Sequence, residues 1–264
     1  MQADRRHHPF DDGWPRFPGP PRPLQRPGEA PRAIRAPRSY GGGMRIAIAG
    51  GHGQIARRLS RLLAGRGDTP VAIVRNAAHV ADVEADGATA VLLDLEDTDA
   101  AALATHLAGA DAVVFAAGAG PGSGAGRKDT VDRAAAALLA DAAATAGVRR
   151  YLLVSSVGAG AEPPPGTDEV FAAYLRAKTA AEEDLRGRDL DWTILRPGAL
   201  TDDPGTGHVR LGPEIPRGKV PRDDVAAVLV GLLDEPRTAG LTLELSEGAV
   251  PVAAAVVAAT ERED

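Results

Sequence analysis

Tyr174 and Lys178 stand four positions apart in the run Tyr174-Leu175-Arg176-Ala177-Lys178. In a helix that spacing puts both side chains on one face. A tyrosine titrates at about 10 and is a poor acid–base group at neutral pH, but a nearby ammonium stabilises the phenolate and lowers that value. Ser155-Ser156 closes an apolar run upstream, and a serine hydroxyl can hold a substrate oxygen while a proton moves. Together these residues suit acid–base chemistry at a substrate oxygen. The Tyr-x-x-x-Lys pair alone is a weak signal, because it arises by chance on helix surfaces.

Such chemistry gains weight beside a cofactor, and one is implied upstream. Residues 44–56 read Met-Arg-Ile-Ala-Ile-Ala-Gly-Gly-His-Gly-Gln-Ile-Ala. This is an apolar strand, a glycine turn and the start of a helix. Glycine lets the backbone approach a pyrophosphate, and the helix N-terminus offers free N–H groups and partial positive charge. The spacing is Gly50-x-x-Gly53-x-x-Ala56, a variant of the commoner G-x-G-x-x-G. The expected contacts are Gly50, Gly51, His52, Gly53, Gln54 and Ile55. His52 also reads as a merely exposed turn residue.

The second strand ends Val74-Arg75-Asn76. In a dinucleotide fold this end lies beside the adenosine ribose. An acid there accepts from the 2′-hydroxyl and selects NAD, whereas an arginine pairs with a 2′-phosphate. Arg75, with Arg57 as a second candidate, therefore favours NADP, with NAD the alternative. Asp94-Leu95 closes the third strand, where the carboxylate can accept from the adenine amino group or simply cap a helix. Ala116, Ala117 and Gly118 end the fourth strand and are small enough for a cofactor to cross. The glycine-rich loop Ala119–Lys128 reads as a lid or a linker. After the sixth strand, Pro197-Gly198 predicts a rigid turn facing the nicotinamide. Arg196 also reads as the structural partner of a buried carboxylate.

The elements that must position these residues alternate. Apolar strands are predicted at 45–49, 70–74, 89–93, 111–116, 150–155 and 191–195, with helices near 54–65, 98–108, 129–147 and 171–187. Continuous apolar strands alternating with helices imply a doubly wound parallel sheet buried on both faces. Beyond 196 the texture loosens into a Gly/Pro/Asp loop, a helix near 222–234, a strand near 241–245 and a short terminal helix, a small substrate-side segment. Residues 1–43 are crowded with Pro, Arg and Gly and predict a disordered tail. Met44 directly precedes the first strand, which equally suggests a mis-chosen start. Residues 44–264 are expected to form one domain.

Composition excludes several classes. There is no cysteine, so disulfides and thiolate metal sites are ruled out, and a reducing cytoplasm is expected. The six histidines lack ligand-like spacing, so no metal site is predicted. The net charge of −6 argues against general nucleic-acid binding. No apolar run reaches the roughly 18 residues of a membrane span, and none follows Arg5-Arg6, so an export signal is not read there.

GGHGQIA, VRN, DLED, Ser155-Ser156, YLRAK and LRPGALTDDPGTG together resemble the atypical short-chain dehydrogenase/reductase group, near its NAD(P)H-binding and epimerase-like bacterial members. The resemblance covers about residues 44–260 and implies a Rossmann fold. It implies Tyr174 as general acid/base, Lys178 as the group that tunes it and binds the nicotinamide ribose, and Ser156 as the substrate-positioning serine, with Ser155 as competitor. Two departures stand out. Tyr174 follows Ser156 by eighteen positions, more than is usual in the group. The expected asparagine is missing after the fourth strand, and Asp132 is the candidate stand-in. The implied activity is hydride transfer between NADP and a small carbonyl, hydroxyl, quinone or flavin substrate, by a monomer or homodimer. The alternatives are a nucleotide-sugar epimerase or dehydratase and a non-catalytic redox sensor like the NmrA-like regulators.

Overall fold

A computed structural model describes residues 43–120 and 123–261. The expected tail, apart from Gly43, and the middle of the Ala119–Lys128 loop lie outside the described residues.

β1 (Arg45–Ala49) shows why the apolar strands are unbroken. Ile46 and Ile48 point into one buried cluster, Ala47 and Ala49 into another. The pleat alternates side chains between two faces, and both faces are covered. The first cluster takes Leu59 and Leu63 of α1 (Gln54–Gly65) and Val225 and Leu229 of α7 (Arg222–Asp234). The second takes Leu103 of α3 (Ala100–His106), Leu139 of α5 (Ala135–Ala146) and Leu185 of α6 (Glu169–Arg186).

The parallel strands are β1, β2 (Thr69–Val74), β3 (Thr89–Leu92), β4 (Ala112–Phe115), β5 (Arg150–Val154), β6 (Asp191–Pro197) and β10 (Leu241–Glu247). They lie in the order β3-β2-β1-β4-β5-β6-β10. Strand order reverses between β1 and β4, so their carboxyl ends open a crevice at the switch point. Ala49 is level with both Ile73 and Phe115. The turns that follow these strands therefore share one edge. This is the doubly wound Rossmann-like sheet expected.

The structure adds elements that periodicity did not announce. α2 (Val80–Ala85) follows β2. A short α4 (Ala125–Arg127) runs into a π-helical segment, Lys128–Ala134, before α5. The loose region after 196 holds β7 (Ala199–Thr201), β8 (His208–Gly212) and β9 (Lys219–Pro221), and β11 (Val250–Pro251) precedes the terminal α8 (Val252–Ala258). β8 and β11 extend the sheet antiparallel, while β7 and β9 pair separately. β7, β9 and β11 are only two or three residues long, β8 alternates exposed and buried residues amid loop-like sequence, and the pairing of all four is non-local. Among the described residues no helix is long and apolar enough to cross a membrane.

Candidate active site

The turn after β1 is built by close backbone approach. Gly50 has φ +77°, and a Cβ there would lie 2.5 Å from Cα of Ala117. A Cβ on Gly51 would meet that of Ala72 at 2.6 Å. The Gly53 amide donates to the Gly50 carbonyl at 2.8 Å and closes the turn. Gly53 caps α1 without a side-chain hydrogen bond, and no acid stands in the first turn. The first-turn amides of Gln54 and Ile55 thus belong to a helix end that suits an anion.

A cavity of about 320 Å³ lies over this turn, at the crevice between β1 and β4. Gly50, Gly51, His52 and Gly53 line it on one side, and Ala116, Ala117 and Gly118 on the other. Arg75, Asp94 and Leu95 also line it, together with His79, Glu96 and Arg127, which the sequence reading did not select. Small side chains, backbone amides and a mixed-charge rim at a switch point fit a dinucleotide.

Just past the end of β2, Arg75 is exposed and pairs with Glu96 at 3.2 Å. Glu96 also accepts from Thr130 Oγ1 at 2.7 Å and from Arg127 at 2.6 Å. The Thr130 hydroxyl and then the Arg127 guanidinium hold the Glu96 carboxyl below the ordinary range, against the opposing effect of burial. Arg57 turns elsewhere, donating to Asp86 at 2.5 Å. Asn76 caps the short turn Ala77–His79 by accepting from the Ala78 amide at 3.0 Å. Asp94 accepts from the Glu96 amide at 3.0 Å.

The two serines have different surroundings. Ser155 is buried and donates from Oγ to Glu182 Oε1 at 2.6 Å. Arg196 donates to the same carboxylate at 2.9 and 2.5 Å, the structural role read for it as one alternative. Ser156 is half-buried and donates to the Val157 carbonyl at 3.2 Å. Tyr174 and Lys178 lie on α6, as their spacing requires, with Lys178 Nζ 5.8 Å from the ring centroid of Tyr174. Lys178 is buried, donates to the Val154 carbonyl at 3.1 Å and stands 3.2 Å from Asp132 Oδ1. Asp132 Oδ1 forms the ion pair but no well-aligned hydrogen bond, so the Val154 carbonyl is the directional acceptor. A second lysine, missed in the sequence, flanks the phenol. Lys128 Nζ lies 5.4 Å from the same centroid and donates to the Gly120 carbonyl at 2.9 Å. Lys128 and Asp132 share the π-helical segment, a distortion often found at functional sites.

Pro197 and Gly198 are differently placed from the expected turn. Pro197 is buried at the end of β6, and the Gly198 amide donates to the Leu245 carbonyl at 2.8 Å. A Cβ on Gly198 would collide with the Gly218 carbonyl oxygen, so close backbone packing accounts for this glycine. Among the described residues the cavity lining does not include Gln54, Ile55, Asn76, Lys178, Pro197 or Gly198.

A parallel sheet in this order, with a glycine turn and cavity at its switch point, defines a Rossmann-like dinucleotide-binding protein. The chain belongs to the NAD(P)H-binding family, whose profile matches residues 50–236. It is 37% identical over 214 residues to the uncharacterized sugar epimerase YhfK of Bacillus subtilis, covering 81% of this chain and 99% of that protein. A Bacillus halodurans structure, provisionally named an NAD-dependent epimerase/dehydratase, superposes with a TM-score of 0.76 at 36% identity, covering 82% of this chain and 100% of that one. ChuY, an anaerobilin reductase from Escherichia coli O157:H7, matches with a TM-score of 0.66 at 27% identity, covering 77% and 97% of the two chains.

Proposed function

We propose that this protein is an NADP-dependent oxidoreductase acting on a small carbonyl, hydroxyl, quinone or flavin substrate. The observation that carries the reading is the Tyr174 ring, with Lys128 and Lys178 ammonium groups 5.4 and 5.8 Å from its centroid, on a fold whose switch-point cavity fits a dinucleotide. The similarity to a reductase supports the reaction type.

When bound, the nicotinamide supplies or accepts the hydride. Tyr174 gives or takes the proton at the substrate oxygen. Lys178, anchored by the Val154 carbonyl and Asp132, holds its ammonium group 5.8 Å from the centroid of the Tyr174 ring. Ser156 orients the substrate oxygen, because Ser155 is committed to Glu182. Arg75 recognises the 2′-phosphate by exchanging its exposed pairing with Glu96 for a stronger one with the dianion. The reading places a monomer or homodimer in the cytoplasm.

A second reading is a sugar-nucleotide epimerase or dehydratase, favoured by the names of the two Bacillus relatives. The test begins with fluorescence titration of NADPH and NADH, followed by a carbonyl and quinone panel. Tight NADPH binding with turnover on the panel is expected. Tightly held NAD in the purified protein, with no turnover, would move the assignment to the epimerase. Cofactor binding with neither would favour a sensor.

A further inference from the structure

Two histidines at the mouth of the cavity have no role in the reaction above. His52, in the glycine turn, and His79, at the end of the short turn after β2, stack face to face. Their ring centroids are 3.6 Å apart and their planes are inclined by 6°. Both line the cavity with Arg75. They come from separate segments brought together by the β1–β2 pairing, so their stacking is a tertiary arrangement.

Their charged surroundings come from every neighbouring element. From α2, Asp82 Oδ2 lies 2.8 Å from His52 Nε2. From α1, Arg57 lies 3.6 Å from that same carboxylate oxygen. Arg57 and Arg61 both hold Asp86, which caps the C-terminal end of α2, at 2.5 and 2.7 Å. Arg75 follows β2, Asp94 and Glu96 follow β3, and Arg127 closes α4, all on the cavity wall. The Asp82 carboxyl is held below its ordinary range, first by its hydrogen bond from His52 and then by the Arg57 charge. Asp82 therefore stays ionised at neutral pH and accepts from His52.

We propose that the His52–His79 pair is a specificity determinant that captures a proton together with the cofactor's 2′-phosphate. The proposal rests on the NADP reading and adds its regulation by pH. Histidine is the side chain that ordinarily titrates in the neutral range, at about 6.5. A phosphate dianion beside a ring favours the imidazolium. Two stacked rings oppose a second proton by like-charge repulsion, so the pair takes up one. NADPH then meets Arg75 and a shared imidazolium, whereas NADH offers no phosphate to draw the proton in. Above about pH 6.5, NADPH affinity falls with rising pH by up to about tenfold per unit, the limit for one linked proton. NADH affinity stays flat. Below about pH 6 the phosphate itself gains a proton and the trend turns over.

The experiment is calorimetric titration of the full chain with NADPH and with NADH at pH 7.5, in two buffers of different ionisation enthalpy. Uptake approaching about one proton per NADPH, and none per NADH, is expected. His79→Gln and His52→Gln, each checked for folding by thermal melting, should each reduce the uptake, and the double variant should abolish it and weaken NADPH by about tenfold at pH 6.5. If one variant fails to fold, the other variant and the wild-type proton count still decide. NADPH preference without proton uptake, or with uptake unchanged in the double variant, would overturn the switch and leave the NADP reading standing. NADPH binding no tighter than NADH at any pH would overturn the NADP reading, and the proposal with it.

Discussion

Lys178 and Asp132 form a buried ion pair, with Nζ and Oδ1 3.2 Å apart, between α6 and the π-helical segment that follows the cavity wall. A buried pair contributes modestly as a whole, but removing one partner strands the other charge, at a cost of about 3–5 kcal/mol. Asp132→Ala should therefore lower stability by about that amount in urea unfolding. The double variant Asp132→Leu/Lys178→Met should recover most of the loss, because neither charge is then stranded, yet remain inactive. Recovered activity would show the pair to be purely structural.

Tyr174→Phe removes the hydroxyl and keeps the ring between the two lysines. General acid–base catalysis contributes about 10²–10⁴ in rate, so turnover on the preferred substrate should fall by that range. Cofactor affinity should be unchanged, as measured by nicotinamide fluorescence. Full turnover in this variant would remove Tyr174 from the mechanism.

Arg75 and Glu96 make opposite predictions at one position. Arg75→Ala should weaken NADPH by about tenfold or more, since a hydrogen bond to a charged group contributes about 1.5–3 kcal/mol, and should leave NADH alone. Glu96→Gln withdraws the competing carboxylate and should tighten NADPH. Equal losses for both cofactors in Arg75→Ala would mean that Arg75 does not read the phosphate.

Gly50→Ala forces a side chain onto φ +77° and into the Ala117 backbone. A left-handed residue costs about 1–2 kcal/mol before the clash is counted. The variant should melt lower and bind either cofactor weakly. An unchanged affinity would mean that the turn yields without disturbing the cavity.

Asp86 links stability to acid. Burial raises its carboxyl, but hydrogen bonds from Arg57 and Arg61 outweigh that and leave it below the ordinary range. The unfolded chain then binds the proton more readily, so stability rises with pH across this titration. The contribution is complete above the unfolded value of about 3.9 and is lost as pH falls through the lower folded one. Asp86→Asn should flatten the decline in urea stability below about pH 4 relative to the parent chain.

The glycine turn, the parallel strands and the helices that follow them were legible because their signals are local. Gly50 to Ala56 states its own turn and helix start, and β1 to β6 are apolar on both faces. The i,i+4 placing of Tyr174 and Lys178 also needs nothing but helix geometry. Arg196 carried a structural reading as one alternative, and Glu182 is its partner.

Contacts made across distance were not legible. Ser155 and Ser156 are indistinguishable as letters, and the Glu182 carboxylate separates them. Gly198 looks like a turn residue, and only the Gly218 backbone against it explains why no side chain fits. Lys128 reaches the Tyr174 ring, and His79 reaches His52, through packing that no spacing rule encodes. The sequence by itself determined the parallel strands, the glycine turn and the catalytic candidates, because backbone sterics and hydrophobic periodicity act over a few residues. The tertiary structure decided which serine is committed, which charges are paired and which rings meet, because those depend on long-range packing of side chains from separate elements.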